Sequence, residues 1–303
     1  MKPNLLSLLQ QHENLTTTAH LRASGFGRST LDRYVADGRL IRVCRGWVAT
    51  TAAYQDAVIA VLHRGKLAGP SALASRGTWD ALASRLHVQR TPNSHGIPQP
   101  GPSLNSFRPR DFMPSGVVTR WRPERYADPA EPPWRQSVID ALLYVAKFAD
   151  YEQFIACVDS ALYAGTLGPR GLAELTRLLP ARFAHYLDDI EPRSEAGIET
   201  LSRVRLNPIV RLIQPQFQVP GISQNGGRGR VDLLIDGWLA FEADGDGWHD
   251  PAADRLRDQK LILRGLHPVH FGFHQIVNDW PRVEATVLEL LRYPPRNGGA
   301  IRG

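Results

Sequence analysis

Cysteine is scarce: 303 residues carry only Cys44 and Cys157, far apart in the chain. That pair supports neither a disulfide framework nor a cysteine-based zinc site. No stretch approaches the roughly 18 apolar residues of a membrane-spanning helix. The opening Met-Lys-Pro-Asn-Leu-Leu-Ser-Leu-Leu has too short an apolar run for a signal peptide. These absences set the expectation of a cytoplasmic protein with no membrane partner. Internal repeats and low-complexity tracts are missing, and neither an aromatic stacking platform nor an RNA motif is visible, which ranks RNA last among targets. Acidic residues are the minority, 30 against 36 Lys and Arg; the formal charge of +6 and pI near 9.6 favour a polyanionic partner.

What is present concentrates in one stretch, Arg230-Val-Asp232-Leu-Leu-Ile-Asp-Gly-Trp-Leu-Ala-Phe-Glu242-Ala-Asp244-Gly-Asp-Gly-Trp-His249. It reads as two short apolar strands joined by an Asp236-Gly237 turn. Side chains alternate across a strand, so Glu242 and Asp244 point to one face. Asp232 reaches that face if the hairpin pairs about the turn. Burying three carboxylates together is costly unless a cation neutralises them. An oxygen-rich cluster of this kind suits Mg²⁺ or Mn²⁺, as in a metal-dependent phosphodiesterase.

The spacing predicts an α/β protein with an α-rich N-terminal half. Over residues 1–50, Leu5, Leu8 and Leu9 make one helical stripe, 18–23 a second helix and 29–36 a third, after the Gly25-Phe-Gly27 turn. An alternating hairpin over 40–49 completes the order of a winged helix-turn-helix. Residues 51–190 read as a linking α+β region. Helices are expected over 56–62 and after Gly69-Pro70-Ser71, a strand over 86–90, strand-like 116–121 in a loop-rich 91–133, then helices over 136–151, 152–162 and 169–179. Residues 191–293 read as helix 194–206, strands 215–219, 231–235 and 238–244, helix 252–264, strand 268–273 and helix 281–291, hence a mixed sheet flanked by helices. The tail 294–303 is expected to fray.

The C-terminal hundred residues resemble the PD-(D/E)XK nuclease superfamily, and within it the very-short-patch-repair-like endonuclease branch. The resemblance rests on Glu195-Ala-Gly-Ile-Glu199-Thr-Leu-Ser-Arg203, Val231-Asp232-Leu-Leu, Glu242-Ala-Asp244-Gly245 with His249 beyond, Asp254-Arg255-Leu-Arg257-Asp258, Gly265 and Val269-His-Phe. It implies a restriction-endonuclease-like mixed-sheet domain that hydrolyses DNA with Mg²⁺ or Mn²⁺. Asp232 is then the central metal ligand, Glu242 the second acid, and Asp244 a further ligand or an acid that supports the ligands from behind. Glu199 completes the site or orients the attacking water, and His249 shuttles a proton or binds the scissile phosphate. One departure stands out: the superfamily's lysine, two residues after the second acid, is here Asp244. His249, Arg257 and Lys260 are the candidates to replace it, the last two also as DNA contacts.

The first 48 residues resemble the winged-helix domain of AbiEi-type antitoxins, which are transcriptional autoregulators. The matching segments are Leu21-Arg-Ala-Ser-Gly25-Phe, Leu31-Asp-Arg-Tyr-Val-Ala-Asp-Gly38-Arg-Leu40 and Arg42-Val-Cys-Arg-Gly46-Trp47. By that likeness Ser29, Thr30 and Arg33 face the major groove, and Arg28, Arg42 and Arg45 meet phosphates or the minor groove. Seven Lys/Arg against three Asp/Glu over residues 1–50 agree with a DNA partner.

Each assignment has a structural alternative. Asp236-Gly237 is a hairpin turn, and Asp244-Gly-Asp-Gly247 reads also as a turn run. Asp232 could lie on an exposed edge. Glu199 and Arg203 are spaced for a surface ion pair, and Glu195, one turn earlier, is the weaker candidate for the site. His249 could be a solvated loop residue, and His267, His270 and His274 are taken as structural. Trp47 packs the wing base, and the arginines at 108, 110, 120, 122 and 125 form either a DNA-facing surface or a solvated face. A regulator with an inactive nuclease fold is the main rival to a nuclease.

Overall fold

The computed structural model describes residues 4–90, 116–222, 228–245 and 251–295. The chain is a mixed α/β protein of two compact units, and the units are not continuous in sequence. The first comprises residues 1–148 and 169–178, the second 149–168 and 179–303. The expected boundaries at 50/51 and 190/191 fall inside these units. Among the described residues no helix is long and apolar enough to cross a membrane.

The first unit opens with α1 (Leu5–Gln11), whose N-cap Asn4 accepts a hydrogen bond from the Leu6 amide at 3.1 Å. Strand β1 (Leu15–Thr17) leads into α2 (Thr18–Ala23), capped by the Thr17 hydroxyl, and then into α3 (Arg28–Ala36). Strands β2 (Ile41–Cys44) and β3 (Trp47–Ala49) form a hairpin, and β1 pairs antiparallel with β3, giving the order β1-β3-β2. Leu5, Leu8, Leu9, Leu21, Leu31, Leu40 and Val48 close a core beneath the helices. The third strand was not anticipated: at three residues β1 is too short for alternation to show, and its partner lies beyond two helices.

The chain continues through α4 (Gln55–Leu62), β4 (Gly65–Leu67), α5 (Gly69–Ala74), β5 (Leu86–Arg90), β6 (Val117–Trp121) and α6 (Val138–Val145). β4 pairs antiparallel and β6 parallel with β5. Helix α6 is shorter than the expected 136–151, because Ser137 caps its start at Asp140 N and Asp150 caps the next helix at Gln153 N. That next helix, α7 (Tyr151–Tyr163), belongs to the second unit, after which α8 (Pro169–Leu178) returns to pack on α6.

The second unit adds a 3-10 helix (Ala181–Asp189), α9 (Gly197–Leu206), β7 (Ile213–Pro220), β8 (Arg228–Ile235), β9 (Leu239–Asp244), α10 (Pro251–Ile262), β10 (His267–Gly272), α11 (Phe273–Asn278) and α12 (Trp280–Arg292). Its sheet runs β10-β9-β8-β7: β7, β8 and β9 form an antiparallel meander, and β10 lies parallel to β9. A parallel neighbour needs a crossover, and α10 supplies it. The Asp236-Gly237 turn forms as expected. Both residues have positive φ, 48° and 78°, and Trp238 N donates to Ile235 O at 3.1 Å, the pattern of a type I′ turn. Val219, Val231, Leu234, Ala240, Leu261 and Leu266 tie the sheet to α10.

Candidate active site

The hairpin register brings the acids together. Leu233 pairs with Phe241 and Leu234 with Ala240, so one more step puts Asp232 opposite Glu242. The ladder stops there, and Asp232 Oδ2 accepts the Ala243 amide at 2.8 Å, taking the place of a backbone acceptor. Asp232 is therefore inside the sheet rather than on an exposed edge. On its other side it lies across from Gln216, between the pairs Pro215–Leu233 and Phe217–Val231. Gln216 adopts φ 53°, a strained value for this residue type, and its amide nitrogen donates to Glu199 on α9.

Glu199 is buried and does not pair with Arg203. Its carboxylate accepts the backbone amides of Glu195 and Ala196 at 3.0 and 3.2 Å, at the start of α9. Arg203 turns instead to Asp159 of α7 at 3.0 Å, where Thr200 and the Glu191 amide also donate. The surface-pair reading of Glu199 and Arg203 is thus overturned: both side chains are buried and each has its partners elsewhere, the Arg203 Nε alone being left without a hydrogen bond. Glu195 pairs with Arg230 of β8.

Glu242 is only 4% exposed, and its Oε1 lies 2.8 Å from Arg257 Nη2 without the alignment of a hydrogen bond. Arg257 also donates to the Arg230 carbonyl, so it bridges α10 and β8. Asp244, at the end of β9, accepts from His270 Nδ1 at 3.1 Å, while His270 Nε2 lies 3.1 Å from Asp258. Parallel pairing sets His270 beside Glu242 in the sheet.

The electrostatics follow from this crowding. Burial first, and then the Asp232 charge, push Glu242 up to about 7. The same two causes, in the same order, raise Glu199. Burial raises Asp232 as well, opposed by its bond from Ala243. His270 rises to about 9, chiefly through its hydrogen bond to Asp244 and then that to Asp258. Acids are thus pushed toward the neutral form and the histidine toward the charged one. Hard oxygen donors of this kind, with one buried Glu242 oxygen lacking a hydrogen bond, suit a divalent cation chemically. As the side chains stand, no three His, Cys, Asp or Glu among the described residues converge as metal ligands.

Of the remaining expected site residues, His249 lies outside the described residues. Lys260 is half-buried on α10, one turn beyond Arg257. In the first unit Ser29 and Arg33 are exposed on α3 and Thr30 is half-buried. Arg28, whose side chain is 86% exposed, reaches Asp32 at 3.7 Å, and Arg42 from β2 pairs with the same carboxylate. Arg45 is exposed in the β2–β3 turn. Sequence reading missed Gln216, Asp258 and His270 as neighbours of the acids. The alternation of Pro268, His270 and Gly272 along β10 was the one available clue, and it needed the parallel pairing to become meaningful. Comparison with protein-family models and with curated proteins finds no match.

Proposed function

We propose that this protein is a divalent-metal-dependent DNA endonuclease, with a winged helix in residues 4–50 that binds DNA and a PD-(D/E)XK-like site in the second unit. One observation carries the proposal: four carboxylates, Glu199, Asp232, Glu242 and Asp244, are drawn together on α9, β8 and β9 with raised proton affinities at the buried three. A purely structural sheet gains nothing from such repulsion.

Asp232, Glu242 and Asp244 would hold Mg²⁺ or Mn²⁺. Such an ion would supply Lewis-acid polarisation of a phosphoryl oxygen and a water of lowered pKa. The chain's own groups do the rest. His270, fixed between Asp244 and Asp258, orients the Asp244 carboxylate. Arg257, which pairs with Glu242, would be the cation to meet a phosphate oxygen. Gln216 and the two backbone amides hold Glu199 in one rotamer beside Asp232. DNA is engaged by Ser29, Thr30 and Arg33 on α3 and by Arg28 and Arg45 around it.

Cleavage of supercoiled plasmid in Mg²⁺, Mn²⁺ or EDTA tests this. Metal-dependent nicking or linearisation, lost in Asp232→Asn, is the expected result. Wild-type cleavage by the double variant Asp232→Ala/Glu242→Ala sinks the assignment. One observation favours a second reading, a DNA-binding regulator: Arg257 and His270 already neutralise Glu242 and Asp244 from within the chain. A metal-independent footprint on DNA, with no cleavage of any substrate, selects it.

A further inference from the structure

The first unit contains a cavity of about 240 Å³ where β5, the segment after β6 and α6 meet. Three cations line it: Arg122, Arg125 and Lys147, all exposed. Asp140 is the acid in its wall, and its carboxylate is committed to the backbone amides of Arg125 and Tyr126 at 3.1 to 3.3 Å. Among the described residues the Arg122 and Arg125 guanidinium groups have no carboxylate ion pair. The lining thus sets three cationic residues against one carboxylate.

The wall is also held in place by polar groups. Buried Gln89 donates to the Arg122 carbonyl at 2.9 Å and accepts from buried Gln136. Lys66 pairs with Glu124 at 2.8 Å and pins the same segment between Arg122 and Arg125. On α6, the Tyr144 hydroxyl takes a hydrogen bond from Arg120 Nε at 3.0 Å and lies 3.0 Å from His87 Nδ1. Burial holds His87 down at about 4, helped by Arg120 and Arg85, while burial raises Tyr144, opposed by Arg120 and Arg122. The cavity is smaller than the roughly 300–1,000 Å³ of pockets for drug-sized ligands, with Leu143 and Pro123 as apolar floor beside the cations.

We propose that this pocket binds the phosphate of a single nucleotide unit, whether a free nucleotide or the phosphorylated end of a nucleic-acid strand. Arg122, Arg125 and Lys147 supply charge-assisted hydrogen bonds to the phosphate, and Leu143 and Pro123 supply the surface for sugar or base. None of these residues belongs to the acidic cluster, so the inference stands or falls independently of the nuclease reading.

Titration calorimetry of the full chain, without divalent metal, tests it. The probes are inorganic phosphate, adenosine 5′-monophosphate, and one short oligothymidylate with and without a 5′-phosphate. Binding is expected for phosphate-bearing probes and weakened at least about tenfold in Arg122→Gln/Arg125→Gln and in Lys147→Gln, from the loss of a charged hydrogen bond. These side chains are exposed, so the variants should keep the wild-type thermal midpoint. Arg177→Gln, on α8, should keep wild-type affinity. Preference for the mononucleotide identifies a free ligand; preference for the 5′-phosphorylated over the unphosphorylated oligomer identifies a strand end. Absence of binding by every probe overturns the proposal, as does unchanged affinity in the pocket variants or an equal loss in Arg177→Gln.

Discussion

At the level of single residues, Glu242 and His270 give the second unit a pH signature with a definite sign. Glu242 titrates at about 7 in the folded chain against 4.5 for an ordinary glutamate, facing Asp232, Arg257 and His270. Its folded pKa is the higher, so the stability it contributes is complete below the unfolded value and is lost as pH rises through about 7. His270, at about 9 against 6.5 and facing Asp244 and Asp258, contributes stability that is complete below its unfolded value and lost as pH rises through about 9. The thermal midpoint in EDTA is thus expected to fall between about pH 5 and pH 9. Glu242→Gln should flatten the lower half of that fall, and His270→Gln the upper half. A midpoint that rises across this range contradicts the reading. In the first unit, Arg33→Ala and Arg45→Ala should each lower the slope of log affinity against log salt for DNA by about 0.9. Fluorescence anisotropy at several salt concentrations measures it, and unchanged slopes exclude these side chains as phosphate contacts.

At the level of elements, the clamp between α7 and α9 decides where the helix that carries Glu199 stands. Asp159 is fully buried and gathers Arg203, Thr200 and the Glu191 amide, although burial lifts its own pKa to about 6. Replacing it by alanine leaves the Arg203 guanidinium buried without its carboxylate. The expected cost is about 3–5 kcal/mol, read as a lower urea midpoint. A loss under about 1 kcal/mol would show that the helix is held by packing alone. The hairpin itself was legible, since the Asp236-Gly237 turn and the alternation through Leu239, Phe241 and Ala243 leave one register. The short strands β1 and β4 were not legible, because three residues carry no periodicity and their partners are distant in the chain. Helix α11 was missed for a related reason: Phe273 to Asn278 follows β10 directly, the last strand residue, Gly272, being also the helix N-cap.

For the molecule as a whole, the chain crosses between its two units more than once. Residues 149–168 belong with the second unit, so a fragment cut at the sequence boundary of 191 lacks α7 and with it Asp159. The fragment 191–303 is expected to lose cooperative thermal unfolding, while 149–303 keeps it. Circular dichroism melts of both fragments check this, and equal cooperativity would place the boundary where the sequence suggested.

The sequence by itself determined the local facts: which acids share a strand face, where the hairpin turns and which stripe of each N-terminal helix is apolar. These depend on residues a few positions apart, whose spacing sets their direction. Tertiary structure alone decided that Glu199 is buried against Gln216, that Arg203 answers to Asp159, and that His270 stands beside Glu242 and Asp244. Each of those depends on a helix crossover or on packing between distant segments. The direction of a side chain can be read from strand or helix period, but its partner is fixed only when burial removes water as the alternative.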